Sequence, residues 1–186
     1  MKKMKKVDIN ISFLGIAFHT VLILCLGLVI GVVAKLLDIY TTNLGNIFSQ
    51  MSVWIFLCTL ISVCSRSAKR ASVNVLCFCA GMLLTYYITA YLTASAYSLL
   101  FVCGWAVFAC FSPLLAFCVW YARGKGRISK PIAGCITIAI LVTAFILFDK
   151  IRITDVIFAI LTSVFLFKDR GAYKPKGKRG VPCERF

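Results

Sequence analysis

The sequence predicts an all-α, polytopic membrane helix bundle with six transmembrane helices and both termini on the cytoplasmic side. Three observations predict it. The chain is 61% hydrophobic and 15% charged, with a mean hydropathy of +0.95, well above the roughly 45–50% apolar content of soluble domains. Its apolar residues gather into runs long enough to cross a hydrocarbon core of about 30 Å at about 1.5 Å per residue. Its basic residues alternate along the chain: 18 of the 21 Lys and Arg fall in four segments that lie between or beyond those runs. These are the N-terminus (Lys2, Lys3, Lys5, Lys6), SRSAKR (Arg66, Lys69, Arg70), ARGKGRISK (Arg123, Lys125, Arg127, Lys130) and the tail (Lys168, Arg170, Lys174, Lys176, Lys178, Arg179, Arg185). Short loops rich in Lys and Arg stay on the cytoplasmic side.

The elements follow in order. Residues 1–12 form a basic N-terminus, and residues 13–34 form the first span; the apolar part is too long for a secretory signal and no small-x-small cleavage site follows it. Residues 35–46 are a short connection with Asp38, Asn43 and Gly45, and residues 47–64 are the second span. No charged residue stands between Arg70 and Arg123. A helix over that whole stretch would reach about 78 Å, so the chain has to turn back once, at the less apolar residues 93–98. Spans three and four are then residues 72–93 and 99–121, with Pro113 removing a backbone donor and kinking the fourth. Pro131 suits the first turn of span five, residues 132–148. Residues 153–167 make a short sixth span, its flanking Arg152 and Lys168 reaching outward to the interfaces. A surface helix there would strand the basic tail outside, so charge favours a full crossing. The membrane domain ends at residue 168, and residues 169–186, with Gly and Pro throughout, are expected to be a disordered cytoplasmic tail.

A net charge of +15 would suggest nucleic acid in a soluble protein. Here the basic runs are explained by orientation and lack a folded scaffold or interleaved aromatics, so no nucleic-acid partner is expected. The expected partner is the lipid bilayer, with anionic lipid contacts by the basic tail and a membrane protein partner as further candidates. On the outer side Asp38, Asp149 and Asp155 offset Lys35, Lys150 and Arg152, and Asp149 and Asp155 are expected as solvated ion pairs. Nine of the ten cysteines lie in or beside apolar runs, where free cysteine behaves as a small hydrophobe, and Cys183 lies in the reducing cytoplasmic tail. Cys77 and Cys79 fall on opposite sides of a helix, and no CxxC or HExxH occurs, so neither a metal nor another cofactor is expected.

Span three carries Cys77, Gly81, Thr85, Thr89 and Thr93 at four-residue steps, a small and weakly polar stripe. Such faces let helices approach closely in lipid; the sharper alternative is the wall of a solute cavity, with Tyr86, Tyr87 and Tyr91 nearby on several faces. Gly27 and Gly31 form a GxxxG packing pair in span one, which also carries Gly15 and His19. His19 is the candidate ionisable intramembrane group, weighed against a neutral imidazole bonded to Ser or Thr. Asn74 and Gln50 lie near interfaces where water can satisfy them. Trp54, Trp105 and Trp120 fit interfacial anchoring or lateral packing.

Catalytic residues are not apparent, because the spans are read as holding no Asp or Glu and a Ser–His pair using His19 has no motif behind it. The expectation is a non-enzymatic membrane protein with a structural or accessory role, in a prokaryotic cytoplasmic membrane. The alternative is a small-solute transporter or the substrate-binding subunit of one. In size, six spans and orientation the chain resembles the vitamin-binding S subunits of energy-coupling-factor transporters; this resemblance is one of layout and carries no residue over.

Overall fold

The computed structural model describes residues 2–41, 45, 47–48, 50–95, 99–123, 128–148 and 152–167. Among them the regular structure is helical: α1 (Lys2–Tyr40), α2 (Met51–Cys64), α3 (Ala68–Leu92), α4 (Leu99–Ala122), α5 (Ser129–Phe148) and α6 (Ile153–Phe167). The tail 169–186 with Cys183, loop residues 124–127, and Asp149 and Lys150 lie outside the described residues.

Three helical stretches are long and apolar enough to cross a membrane: Ala17–Tyr40 at a mean hydropathy of 2.6, Ala68–Leu92 at 1.8 and Val102–Ala122 at 2.1. By length and composition, these three helices suggest a membrane protein. Met51–Cys64, Ser129–Phe145 and Ile153–Phe167 are shorter apolar helices, and the 14 residues of α2 reach about 21 Å at about 1.5 Å each.

Several expected boundaries move. The helix of span one runs on through Tyr40 where a connection was expected from residue 35, because Lys35 and Asp38 form an i,i+3 ion pair of 2.9 Å and Leu36, Leu37 and Ile39 continue the apolar run. At its other end the helix takes in the basic N-terminus from Lys2. The second span starts later than expected, at Met51, since Gln50 adopts an extended N-cap conformation (φ −81°, ψ 136°).

Hydrogen bonds and ring contacts fix the directions of the helices. Thr20 on α1 bonds Asn74 on α3, and farther along both helices Asp38 bonds Tyr86, so α1 and α3 run parallel. Cys58 meets Cys79 while Ser65 meets Asn74, so α2 runs antiparallel to α3. Trp54 against Trp105 and Ser65 against Trp120 make α2 and α4 parallel. Ser52 bonds Asp155 and Phe56 meets Phe158 and Phe165, which aligns α6 with α2. The helices therefore alternate in direction as their order in the chain dictates. The main core joins Ala34, Trp54, Cys58, Ala71, Val75, Phe78, Cys79, Met82, Ala109 and Ala116, and a smaller cluster joins Val63, Val119, Ala122, Ala133 and Leu166.

The ends of α3 are specified locally. Ser67 caps its start, accepting from the Arg70 N–H at 3.4 Å, as small hydroxyl residues do at orphan helix donors. At its end the Ser95 N–H donates to the Ala90 carbonyl and the Ala94 N–H to the Tyr91 carbonyl, the paired bonds of a Schellman stop. Such a stop requires a left-handed residue, and Ala94 takes it at φ 48°. In α4, Pro113 cannot donate to the Ala109 carbonyl. The Ser112 hydroxyl donates there instead at 2.8 Å, and the Ser72 hydroxyl of α3 donates to the Pro113 carbonyl at 2.8 Å.

Candidate functional site

Close approach of α1 and α3 dominates one side of the bundle. A Cβ at Gly27 would collide with the Phe78 carbonyl, one at Gly31 with Thr85 Oγ1 and the Met82 carbonyl, and one at Gly81 would stand 3.0 Å from the Leu24 carbonyl. Only glycine lets the two backbones lie this close. The Thr85 hydroxyl donates across the seam to the Leu28 carbonyl at 2.8 Å and also reaches its own Gly81 carbonyl at 3.0 Å. Gly27 and Gly31 thus meet the middle of the α3 stripe. Its ends behave differently: Cys77 is half-buried, Thr89 is buried and Thr93 is exposed, its hydroxyl turned back to the Thr89 carbonyl. Gly15 faces open space.

His19 is exposed on α1. Its neighbour Thr20 makes the polar contact instead, donating to Asn74 Oδ1 at 3.0 Å, while Asn74 Nδ2 donates to Ser65 at 3.2 Å. Asn74 was expected to rely on interfacial water, but at 3% exposure it is served by protein and ties α1, α3 and the α2–α3 turn together. The Trp120 indole donates to the Ser65 carbonyl, bringing α4 to the same point.

A second polar layer lies at the opposite end of the bundle. Lys35 is buried, pairs with Asp38 at 2.9 Å and lies 5.1 Å from the Tyr86 ring centroid; Tyr86 donates to the same Asp38 oxygen at 3.1 Å. Tyr87 packs edge-on against Tyr86 but faces the other way, into a groove of about 540 Å³ whose lining includes Leu83, Leu84, Tyr91, Val102 and Ala106. The three tyrosines therefore do not share one pocket: Tyr86 serves α1, and Tyr87 and Tyr91 line the α3–α4 groove.

The α2–α6 contact in this layer contains the carboxylate that overturns an expectation. Asp155 was expected in a solvated ion pair, yet it is 1% exposed. It sits at the third position of α6, where an acidic side chain reaches back to the N-cap N–H: Oδ2 accepts from the Arg152 N–H at 3.1 Å, and Oδ1 accepts from the Ser52 hydroxyl of α2 at 2.5 Å. Beside it the Thr154 hydroxyl donates to Gln50 Oε1 at 2.7 Å, so Gln50 too is held by protein where water was expected. Trp54 is 2% exposed; its indole donates to the Phe48 carbonyl at 2.8 Å and its ring meets Trp105 edge-on, the packing alternative of the two open to it. Deeper on the same face of α6, Thr162 is fully buried and its hydroxyl has no hydrogen-bond partner among the described residues.

Reading residue types alone missed Asp155, although a signal was present. Asp155, Ala159, Thr162 and Leu166 are the buried residues of α6 and recur at helical spacing, the small and polar minority of an otherwise apolar helix. Chemically the layer offers carboxylate, hydroxyl and amide oxygens on α2 and α6. No group of three or more His, Cys, Asp or Glu able to hold a metal ion occurs among the described residues.

The family described as a family of unknown function, DUF6518, matches residues 12–149. The chain belongs to that family. The matched region takes in α2, α3, α4 and α5, nearly all of the seam between α1 and α3, and the α2 side of the Asp155 contact. No curated protein and no solved structure matches this member of DUF6518.

Proposed function

We propose that this DUF6518 protein is a six-span protein of a prokaryotic cytoplasmic membrane, with both termini on the cytoplasmic side and a non-enzymatic structural or accessory role. The observation that carries the reading is the closure of the α3 stripe by α1. The part of the face that would wall a solute cavity, Gly81 and Thr85, is instead in backbone contact with Leu24 and Leu28. Alternating helix directions support six passes. Arg66, Lys69, Arg70, Arg123 and Lys130 cluster at the connections between α2 and α3 and between α4 and α5, which supports a cytoplasmic placement for both turns. Within this reading the basic tail lies against anionic lipid, and the lipid-facing helices offer contact to a membrane partner.

A second reading, a small-solute transporter or the substrate-binding subunit of one, is favoured by one observation. Asp155 is a buried carboxylate held by the Arg152 N–H and the Ser52 hydroxyl, and intramembrane carboxylates mark ion and substrate pathways. Gentle detergent purification from the native membrane, followed by mass spectrometry of bound small molecules and copurifying proteins, separates the two. A protein partner without a small-molecule ligand is the result expected for the accessory role. A stoichiometric bound metabolite, or an ATPase-containing assembly, overturns it in favour of transport.

A further inference from the structure

Nine cysteines are described, and all are free thiols. Cys25, Cys64, Cys103, Cys110 and Cys135 are exposed, Cys77 and Cys118 half-buried, and Cys58 and Cys79 buried. These last two stand apart in a second way: their sulfurs, on neighbouring antiparallel helices α2 and α3, lie 3.6 Å from each other. No other sulfur pair is in such contact among the described residues. Two small hydrophobes in a core account for the burial, and a thiol–thiol hydrogen bond holds the two sulfurs face to face across different helices. A bonded pair needs about 2.05 Å, so closure asks the two sulfurs to approach by roughly 1.6 Å.

We propose that Cys58 and Cys79 form an oxidisable dithiol whose disulfide staples α2 to α3, with a lipid-soluble quinone as the oxidant. A quinone partitions into the same apolar medium as the helices that carry the pair. In the net step both S–H bonds break and one S–S bond forms. The two electrons and two protons pass to the quinone, which leaves as the quinol. The staple ties Cys58, whose helix also carries Ser52 against α6, to Cys79, whose helix carries the α1 seam. It therefore fixes one half of the bundle against the other.

The test uses the full chain in lipid nanodiscs, treated with a short-chain ubiquinone, then denatured, alkylated, digested and read by mass spectrometry. The expected result is a cross-linked peptide pair containing Cys58 and Cys79 and a loss of two alkylatable thiols out of ten. A phosphine reductant should restore both, and Cys58→Ser should abolish the cross-link while Cys118→Ser leaves it intact. Retention of all ten thiols overturns the proposal, as do cross-links that join exposed cysteines in preference to this pair. Closure by copper–phenanthroline but not by the quinone also overturns it, since the oxidant is then wrong. If Cys58→Ser fails to fold, the unsubstituted chain alone still decides between these outcomes.

Discussion

Gly27 and Thr85 sit on the same seam, but their substitutions should differ in cost. A side chain at Gly27 meets the Phe78 backbone carbonyl, which cannot move without moving α3, so Gly27→Leu forces the helices apart. Overpacking of this kind costs about 1–3 kcal/mol, and the rigid obstacle places Gly27→Leu toward the upper end. Thr85→Val keeps the shape and loses the hydroxyl bond to the Leu28 carbonyl; interhelical bonds in lipid average only about 0.6 kcal/mol. Equilibrium unfolding in bicelles should therefore rank Gly27→Leu well above Thr85→Val. At the other end of the bundle, Asp155→Ala removes the acceptor of both the Arg152 N–H and the Ser52 hydroxyl. A hydrogen bond contributes about 0.5–1.5 kcal/mol net, so losing both should cost the variant about 1–3 kcal/mol in the same assay. Combined with Ser52→Ala it should lose less than the sum of the two single variants, because both act on one contact.

Among the elements, α3 is held by the most varied devices, and its C-terminus holds a correctable strain. Ala94 adopts φ 48° to close the helix, a conformation that costs an L-residue roughly 1–2 kcal/mol and glycine almost nothing. Ala94→Gly should raise stability by about 1 kcal/mol, measured as a higher unfolding midpoint with unchanged helicity. The existence of α3 and α4 and the turn between them could be read from the sequence, since an uncharged stretch of that length cannot cross only once. The extension of α1 through Tyr40 could not: Lys35 and Asp38 look like loop residues in one dimension and become an ion pair, with Lys35 buried, only on a helical surface beside Tyr86. The same blindness hid Asp155. Its charge signals solvent in a linear reading, whereas its position three residues into α6 lets backbone and Ser52 donors replace water. Gly27, Gly31, Gly81 and Thr85 were recognisable as packing residues from their four-residue steps, but the parallel pairing that makes them each other's partners follows from the position of α2.

For the whole molecule, the proposed six-span topology, with its basic turns on the cytoplasmic side, makes one expectation. Reporter fusions at either end should both report the cytoplasm, and a C-terminal reporter found outside would remove the sixth crossing. Parallel pairing of α1 with α3 has a further consequence for how the bundle is made. Thr20 and Asn74 are 54 residues apart in the chain, and α2, which runs the other way, comes between their helices in the sequence. The ribosome must add 52 residues after Tyr40 before Leu92 is complete, roughly 3–10 s at about 5–20 residues per second. Throughout that interval α1 stands in the bilayer with Gly27 and Gly31 facing lipid in place of their partner. Its insertion and its docking are thus separate events, and a substitution that blocks the seam should leave α1 crossing the membrane correctly but unclasped, visible to quality-control proteases although its topology is intact.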